Sequence, residues 1–360
     1  MFAGGGTGGH LFPALAVADE LKRRRPEREI CFVGGRRGLE TRLVPGAGYP
    51  LRTLRLSGIK GLGPLGQLAG AATAGWAVLR CAAWMITWQP RLVIGVGGYA
   101  SGPGVLAGKL LRKKTMVLEQ NHYPGATNRW LAPRVDIVCV PSDEARRRLG
   151  GRGIVTGNPV RREFLDVRPA PTGSRLSLLV FGGSRGAHAI NLAMARAIQE
   201  LARLDPAPRI VHQTGVDDET ALREAAGAYP DGLYEIHAFL DDMPTRFGEA
   251  DLVVSRAGAT TMAELAAAGR PAILVPYPHA ADDHQRHNAE AVERAGAAIV
   301  VLNDELEKDT LFDRIRELAA DPARRTEMAT AARRLARPDA AERIVDAAES
   351  LLSVGGDRVS

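Results

Sequence analysis

The chain has 360 residues, 45% of them hydrophobic and 24% charged, which excludes a disordered or fibrous protein and sets a prior of about two domains. Its formal charge of +6 favours an anionic partner, a phosphate-bearing ligand or an anionic lipid surface. Nucleic acid is disfavoured as a partner, because aromatics make up only 5% and neither an RNA-binding signature nor zinc-finger spacing occurs.

Cys31, Cys81 and Cys139 stand far apart and form no CxxC, so neither a metal site nor a disulfide framework is expected and the compartment reads as reducing. The first residues lack the pattern of a signal peptide, which reads as cytoplasmic. Only Met1, Phe2 and Ala3 lead into Gly4-Gly5-Gly6-Thr7-Gly8-Gly9-His10, short for a first strand, which leaves two readings, a start that lies upstream or a clipped strand. Glycines there permit positive φ, and a following helix offers unpaired N–H groups and the positive end of its dipole, so the loop reads as an anion cradle. His10 closes it with an imidazole that titrates near neutral pH.

Leu11 to Arg25 is a helical pattern with Leu15, Val17, Ala18 and Leu21 inward and a basic end that suits a helix C-terminus. Glu29 to Gly35 is a buried strand, which makes a β-α-β opening. A helix signal from Gly38 to Val44 and a weaker strand at Leu54-Arg55-Leu56 come next. Leu62 to Trp88 is the most apolar stretch. A membrane span needs about 20 consecutive apolar residues, whereas Pro64 and several glycines precede the best part and Arg80 divides it. Two readings remain. One is a buried core helix, which the alanines suit; the other is a helix whose aromatic end, with Trp76, Trp84 and Trp88, touches a membrane surface. Lys60, Arg80 and Arg112-Lys113-Lys114 are then available for anionic head groups.

Leu92 to Pro103 again runs from strand to glycines, before a helix from Val105 to Leu111. The strand Thr115 to Leu118 ends in Glu119-Gln120-Asn121-His122, polar groups at the carboxyl end where open α/β sheets bind ligands. Val135 to Val140 and Ile154 to Thr156 are further strands, and the pattern changes at Gly157-Asn158-Pro159-Val160-Arg161. After a surface linker from Asp166 to Ser174, the strand Leu176 to Phe181, the loop Gly182-Gly183-Ser184-Arg185-Gly186 and a long helix from Ala187 to Leu204 echo the opening strand, its glycine loop and the helix from Leu11. Strands at Arg209 to His212, Leu233 to His237, Leu252 to Val254, Ala272 to Val275 and Ala298 to Val301 complete a second half. A terminal helix runs from Asp339 to Leu352. Two similar doubly wound α/β halves are expected.

Taken alone, Gly4-x-Gly6-x-x-Gly9 fits the dinucleotide fingerprint and makes an NAD(P)-dependent dehydrogenase a competing reading. The second strand, however, ends in Gly34-Gly35-Arg36-Arg37 and not in the acid that holds a ribose. The arginine pair suits NADP, but the two other glycine loops then have no task. The densest constellation is Asp251 to Glu264: a strand ending at Ser255, a glycine turn, and a helix opened by Thr260 or Thr261 that carries Glu264. One carboxylate there can accept from two vicinal hydroxyls, as a ribose offers. An acid in a first helical turn also offsets the dipole, worth about 0.3–1 kcal/mol, and by itself Glu264 favours that plainer role. His279 to Asn288 gathers hydrogen-bonding side chains. His284 and His287 share a helical face near two aspartates, yet no third ligand pattern occurs, so no metal is expected. The amides of Gln285 and Asn288 suit neutral sugar hydroxyls.

Together, Gly4 to His10 with Leu11-Phe12-Pro13-Ala14, Gly95 to Pro103, Glu119-Gln120-Asn121, Gly157 to Arg161, Gly182 to Gly186 and Ser255 to Ala259 with Glu264 resemble the MurG family of bacterial N-acetylglucosaminyltransferases, in the same order from the first residues to Asn288. The resemblance implies an α/β GT-B fold, two Rossmann-like doubly wound domains facing across a cleft. Residues 1–160 would face the acceptor and membrane, 161–337 would bind UDP-GlcNAc, and 338–360 would pack a C-terminal helix back on the first domain. The implied reaction moves GlcNAc from UDP-GlcNAc to the 4-hydroxyl of MurNAc in undecaprenyl-pyrophosphoryl-MurNAc-pentapeptide, with inversion and with no cofactor, in peptidoglycan synthesis.

Carried over by position, Glu264 would hold the ribose hydroxyls, the backbone at Leu240 would read uracil, and Ser184 would hold the diphosphate. Arg161, Arg256, Ala259 and Thr260, with Thr7, Gly8 and Gly9, would line the donor side, and Gln285 with Asn121 from across the cleft would meet the GlcNAc hydroxyls. The acceptor would face Gly6, Gly9, His10, Gly97, Gly98, Tyr99 and Ser101. The Leu62 to Trp88 region would rest on an anionic membrane surface, making the protein peripheral on the cytoplasmic face, with cell-wall assembly proteins as further partners. The reaction needs a base at the acceptor hydroxyl: His10 is the first choice, being mostly neutral at an ordinary pKa of about 6.5, and Glu119 the second. Departing UDP gains charge that helix N-termini and Ser184 would stabilise. Where some members carry paired glutamines, this chain has His284-Gln285-Arg286. The rival is a UDP-GlcNAc 2-epimerase-like isomerase of the same architecture, which needs no lipid acceptor; a pure binding module is more distant. Three glycine loops and the aromatic, basic segment favour the transferase.

Overall fold

The computed structural model describes residues 1–36, 38–55, 64–168, 175–183, 186–280 and 283–353. The readings placed on Arg37, Leu56, Lys60, Leu62, Pro169 to Ser174, Ser184, Arg185 and Asp282 fall outside these residues. The chain divides into two compact units, Met1–Arg161 with the segment from Pro338 onward, and Arg162–Arg337.

The first unit alternates β1 (Phe2–Ala3), α1 (Gly8–Arg24), β2 (Phe32–Gly35), α2 (Glu40–Gly46), β3 (Leu51–Leu54), α3 (Pro64–Trp88), β4 (Leu92–Gly95), α4 (Ser101–Leu110), β5 (Lys114–Leu118), α5 (Ala126–Leu131), β6 (Ile137–Val140), α6 (Asp143–Arg148) and β7 (Ile154–Val155). Its parallel strands lie in the order β3-β2-β1-β4-β5-β6-β7. β1 is central: Phe2 pairs with Phe32 on one side and Ile94 on the other, and its ring stacks on Phe32 at 4.9 Å. The strand order reverses between β1 and β4, where open α/β sheets place ligands, and both strands run into glycine loops.

One face of this sheet buries Leu11, Leu15 and Leu21 of α1, and the other buries Ala77, Cys81 and Met85 of α3 with Val93, Val105 and Val117. The four-residue spacing of Ala77, Cys81 and Met85 puts one stripe of α3 in the core, as the alanine-rich pattern expects. Trp76, Leu79 and Ile86 remain exposed on the same helix. Among the described residues, no helix is long and apolar enough to cross a membrane. Helices α1 and α4 begin at Gly8 and Ser101, earlier than Leu11 and Val105 as their periodicity suggests, because glycines conceal their first turns. The weak strand expected at Leu54 to Leu56 is instead β3 at Leu51–Leu54, which comes directly after Pro50 and pairs Leu51 with Phe32.

The second unit runs β8 (Ser177–Phe181), α7 (His188–Ala202), β9 (Arg209–Gln213), α8 (Glu219–Ala226), β10 (Tyr234–His237), α9 (Met243–Glu249), β11 (Leu252–Ser255), α10 (Ala259–Ala268), β12 (Ala272–Leu274), α11 (His284–Arg294), β13 (Ala298–Val300), α12 (Thr310–Ala320) and α13 (Pro322–Leu335). Its parallel sheet, β10-β9-β8-β11-β12-β13, reverses at β8 and β11 as the first does at β1 and β4. Leu178, Val180, Ile190, Met194, Ile198 and Ile315 are buried together on it. The last helix, α14 (Ala340–Ser353), returns to the first unit, where Ile344 and Val345 join the core beside α1. Arg24 holds it there through Asp346 at 2.6 Å and Glu349 at 3.1 Å, and Arg28 bonds Glu349 at 2.7 Å.

Candidate active site

In the first unit the loop after β1 packs backbone to backbone on the loop after β4. Gly4, Gly5 and Gly6 take φ of +149°, +134° and +92°. Gly4 N–H donates to Val33 O at 3.0 Å and Gly5 N–H to Gly97 O at 3.3 Å, while Gly6 N–H donates to Glu40 Oε2 at 2.9 Å. These three amides point into the protein, because the glycines serve close approach, so they take no part in the anion cradle expected of the loop and the following helix start. Gly98, at φ +76°, has no room for a Cβ against Gly5 O, and a Cβ on Gly97 would stand 2.6 Å from His10 Cδ2.

His10 sits in the first turn of α1, half-buried against Gly97, with Nδ1 3.3 Å from Thr7 Oγ1. Gly6, Thr7 and Gly9 are exposed, and Tyr99 is 66% exposed on the neighbouring loop. Ser101 differs from the other acceptor-side residues: its side chain is buried with the hydroxyl turned toward Gly95, where a Cβ would meet it at 2.6 Å.

At the end of β5, Glu119 is buried. Its Oε1 accepts from Gln120 N–H (2.9 Å), Asn121 N–H (2.8 Å) and Asn121 Nδ2 (3.1 Å), and its Oε2 from Gly125 N–H (3.0 Å) and Asn128 Nδ2 (2.9 Å). Burial raises its pKa, and these donors oppose the shift. A carboxylate so engaged holds the 120–128 loop, and Asn121 with it, in one conformation. Arg161 ends this unit with its guanidinium 4.5 Å from the centre of the Phe12 ring on α1.

In the second unit Ser255 ends β11 and Gly258 precedes α10. Glu264 is buried and lies in the second turn, beyond the reach of the dipole effect, with no acid in the first turn; Ala259 and Thr260 supply that turn. The Arg256 guanidinium donates to Val275 O (3.2 Å), Pro276 O (3.1 Å) and Asn303 Oδ1 (3.1 Å), bracing the turn that carries Tyr277, and burial lowers its pKa. Gln285 Oε1 accepts from Tyr277 N–H at 3.0 Å. Asn288 is buried and donates to Ala257 O at 3.2 Å, so it supports the motif from beneath. Leu240 is buried just beyond β10. Among the described residues, no group of three or more His, Cys, Asp or Glu side chains is placed to hold a metal ion.

The described flanks of the third glycine loop rest on residues that motif reading passed over. Gln213, buried at the end of β9, donates to Gly183 O at 2.8 Å. Behind it His212 bonds Tyr234 Oη (2.9 Å) and Asn191 Oδ1 (3.0 Å), and Asn191 donates to Asp218 Oδ2 (2.6 Å). Asp218 in turn faces His188 Nδ1 at 2.8 Å. Position at a strand's carboxyl end, the rule that singled out Glu119, also applies to Gln213.

Two parallel sheets, each with a glycine loop at its switch point, form a GT-B fold of two Rossmann-like units. Residues 1–140 match the glycosyltransferase family 28 N-terminal domain and residues 177–344 the family 28 C-terminal domain; the chain belongs to glycosyltransferase family 28. It is 44% identical over 354 residues, 96% of each protein, to the UDP-N-acetylglucosamine–N-acetylmuramyl-(pentapeptide) pyrophosphoryl-undecaprenol N-acetylglucosamine transferase of Geobacter metallireducens. The crystal structure of Acinetobacter baumannii MurG is 30% identical, with a TM-score of 0.76 over 97% of this chain and 99% of that one. A putative UDP-N-acetylglucosamine 2-epimerase from Listeria monocytogenes has a TM-score of 0.69 at 18% identity, over 100% of this chain and 97% of that one, a likeness of fold alone.

Proposed function

We propose that the protein transfers GlcNAc from UDP-GlcNAc, with inversion, to the 4-hydroxyl of MurNAc in undecaprenyl-pyrophosphoryl-MurNAc-pentapeptide, the lipid I to lipid II step of peptidoglycan synthesis. The observation that carries this is the 44% identity to a transferase of that name across 96% of both proteins. The second unit takes the donor, with Glu264 on the ribose hydroxyls, the backbone at Leu240 on uracil and the third glycine loop at the diphosphate. The first unit takes the acceptor. The His10 imidazole accepts the proton of the 4-hydroxyl, its oxygen forms the bond to the sugar's anomeric carbon, and UDP leaves with the electron pair of the broken bond. Glu119 orients Asn121 and leaves the proton to His10.

The exposed face of α3, with Trp76, Leu79 and Ile86, would rest on an anionic leaflet where the lipid acceptor resides. Arg80 and Arg52, 5.4 and 5.6 Å from the centre of the Trp84 ring, support this reading by placing cations beside that helix. Labelled UDP-GlcNAc incubated with and without the lipid-linked MurNAc-pentapeptide tests the reaction. Transfer that requires the lipid is expected. Formation of ManNAc without it would instead make the protein an epimerase.

A further inference from the structure

Glu40 opens α2, and its carboxylate lies buried beneath the first glycine loop. Oε2 accepts from Gly6 N–H at 2.9 Å and Oε1 from Gly35 N–H at 2.6 Å, so one side chain ties the loop after β1 to the end of β2. The backbone around it is cleared of side chains. A Cβ on Gly5 would stand 2.8 Å from its Cδ, one on Gly34 2.6 Å from its Cγ and one on Gly35 3.2 Å from its Oε1, while one on Gly38 would overlap its Oε2. Four glycines from two segments thus form a socket for a single carboxylate. An acid that merely offset the dipole of α2 would need none of them.

The socket leads to His10 in three steps. Gly6 is the last residue before Thr7, whose carbonyl accepts from His10 N–H at 3.3 Å and Leu11 N–H at 3.2 Å and so starts α1. Thr7 Oγ1 then lies 3.3 Å from His10 Nδ1. Glu40 thus holds from below, at Gly6 N–H, the residue directly before the turn that begins α1 and carries the imidazole. The same bond withdraws that amide from any ligand.

We propose that Glu40 is a positioning residue for glycosyl transfer: it clamps the Gly4 to Thr7 turn so that His10 meets the acceptor hydroxyl. This rests on the role proposed for His10 above.

Glu40→Gln and Glu40→Asp in the full chain test it. Glutamine keeps one acceptor oxygen but presents an NH2 group to the other backbone N–H, whereas aspartate keeps two acceptors on a shorter arm. For Glu40→Gln, kcat should fall by on the order of 10- to 100-fold, the scale of a displaced catalytic group. UDP affinity and KM for UDP-GlcNAc should stay within about twofold, the range expected when ground-state donor binding is untouched. Hydrogen exchange should accelerate in residues 4–10, and Glu40→Asp should recover part of kcat. Unchanged kcat despite faster exchange would overturn the proposal, and so would a loss of UDP affinity in step with melting temperature in both variants. If the unsubstituted protein transfers nothing to the lipid, the functional reading fails on its own; normal transfer by Glu40→Gln defeats only the clamp.

Discussion

His10 and Glu119 both lie where strands of the first sheet end, and hydrogen bonding separates their roles. Five donors hold the two oxygens of Glu119, whereas His10 stands half-buried at the start of α1 beside exposed Thr7 and Gly9. His10→Ala should therefore lower kcat by about 100-fold or more, the scale of a lost general base, and leave UDP binding intact. Titration calorimetry with UDP checks the second half, and a large loss there would move His10 to the donor side. His212 offers a test of stability. Burial pushes its imidazole from 6.5 down to about 3, so the folded protein keeps it neutral where the unfolded chain would protonate it. The resulting stability is complete above about pH 6.5 and is lost as pH falls toward 3, by up to about 1.4 kcal/mol per pH unit. Unfolding free energies from urea titrations at pH 7 and 5 should differ by roughly 2 kcal/mol more for the unsubstituted protein than for His212→Gln, by the same linkage; equal differences would mean that another group governs acid stability. His10 and Glu264 could be singled out as candidates because each sits inside a recognisable run of residues. Glu40 and Asn128 could not be, since an acid's or amide's task is set by backbone that folds onto it from elsewhere.

Elements were legible where apolar periodicity was unbroken and obscured where glycine served another purpose. The core strands were visible as apolar runs, and α7 as an amphipathic pattern. The starts of α1 and α4 were concealed by glycines in their first turns; Gly104 is there because a Cβ would stand 2.4 Å from that of Ala3 on β1, a relation no local window contains. The α3 segment presented a different ambiguity, core or surface, and its structure divides the two by face: Ala77, Cys81 and Met85 inward, Trp76, Leu79 and Ile86 outward. An amphipathic surface helix adds apolar burial to attraction for anionic head groups. Replacing Trp76, Leu79 and Ile86 by serine should weaken sedimentation with anionic vesicles by at least about tenfold, because each side chain forfeits roughly 1.5–3 kcal/mol of burial. Turnover on a detergent-solubilised acceptor should be preserved. Undiminished vesicle binding would remove this face from the membrane contact.

Across the whole molecule, the repeat of strand, glycine loop and helix at residues 3–10 and 181–188 was the sequence signal for two doubly wound halves, and the two sheets reverse at the strands that carry those loops. Less legible was why the chain, having completed the second sheet, leaves it. Helix α14 supplies apolar surface that α1 lacks a partner for: Ile344, Val345, Ala347 and Ala348 are buried in the first unit's core with Leu11, Leu15 and Leu21. The ion pairs of Arg24 and Arg28 at its edge are partly exposed, so they orient α14 more than they stabilise it. A chain ending at Arg337 would forfeit roughly 5 kcal/mol of apolar burial, all of it from the first unit. For a unit of this size that is a drop of roughly 10–20 °C in melting temperature. Scanning calorimetry should then resolve two transitions, the lower one belonging to Met1–Arg161. UDP, proposed to bind Arg162–Arg337, should raise the upper transition and leave the lower where it is. A single transition displaced as a whole would mean that the two units unfold as one and that α14 stabilises both.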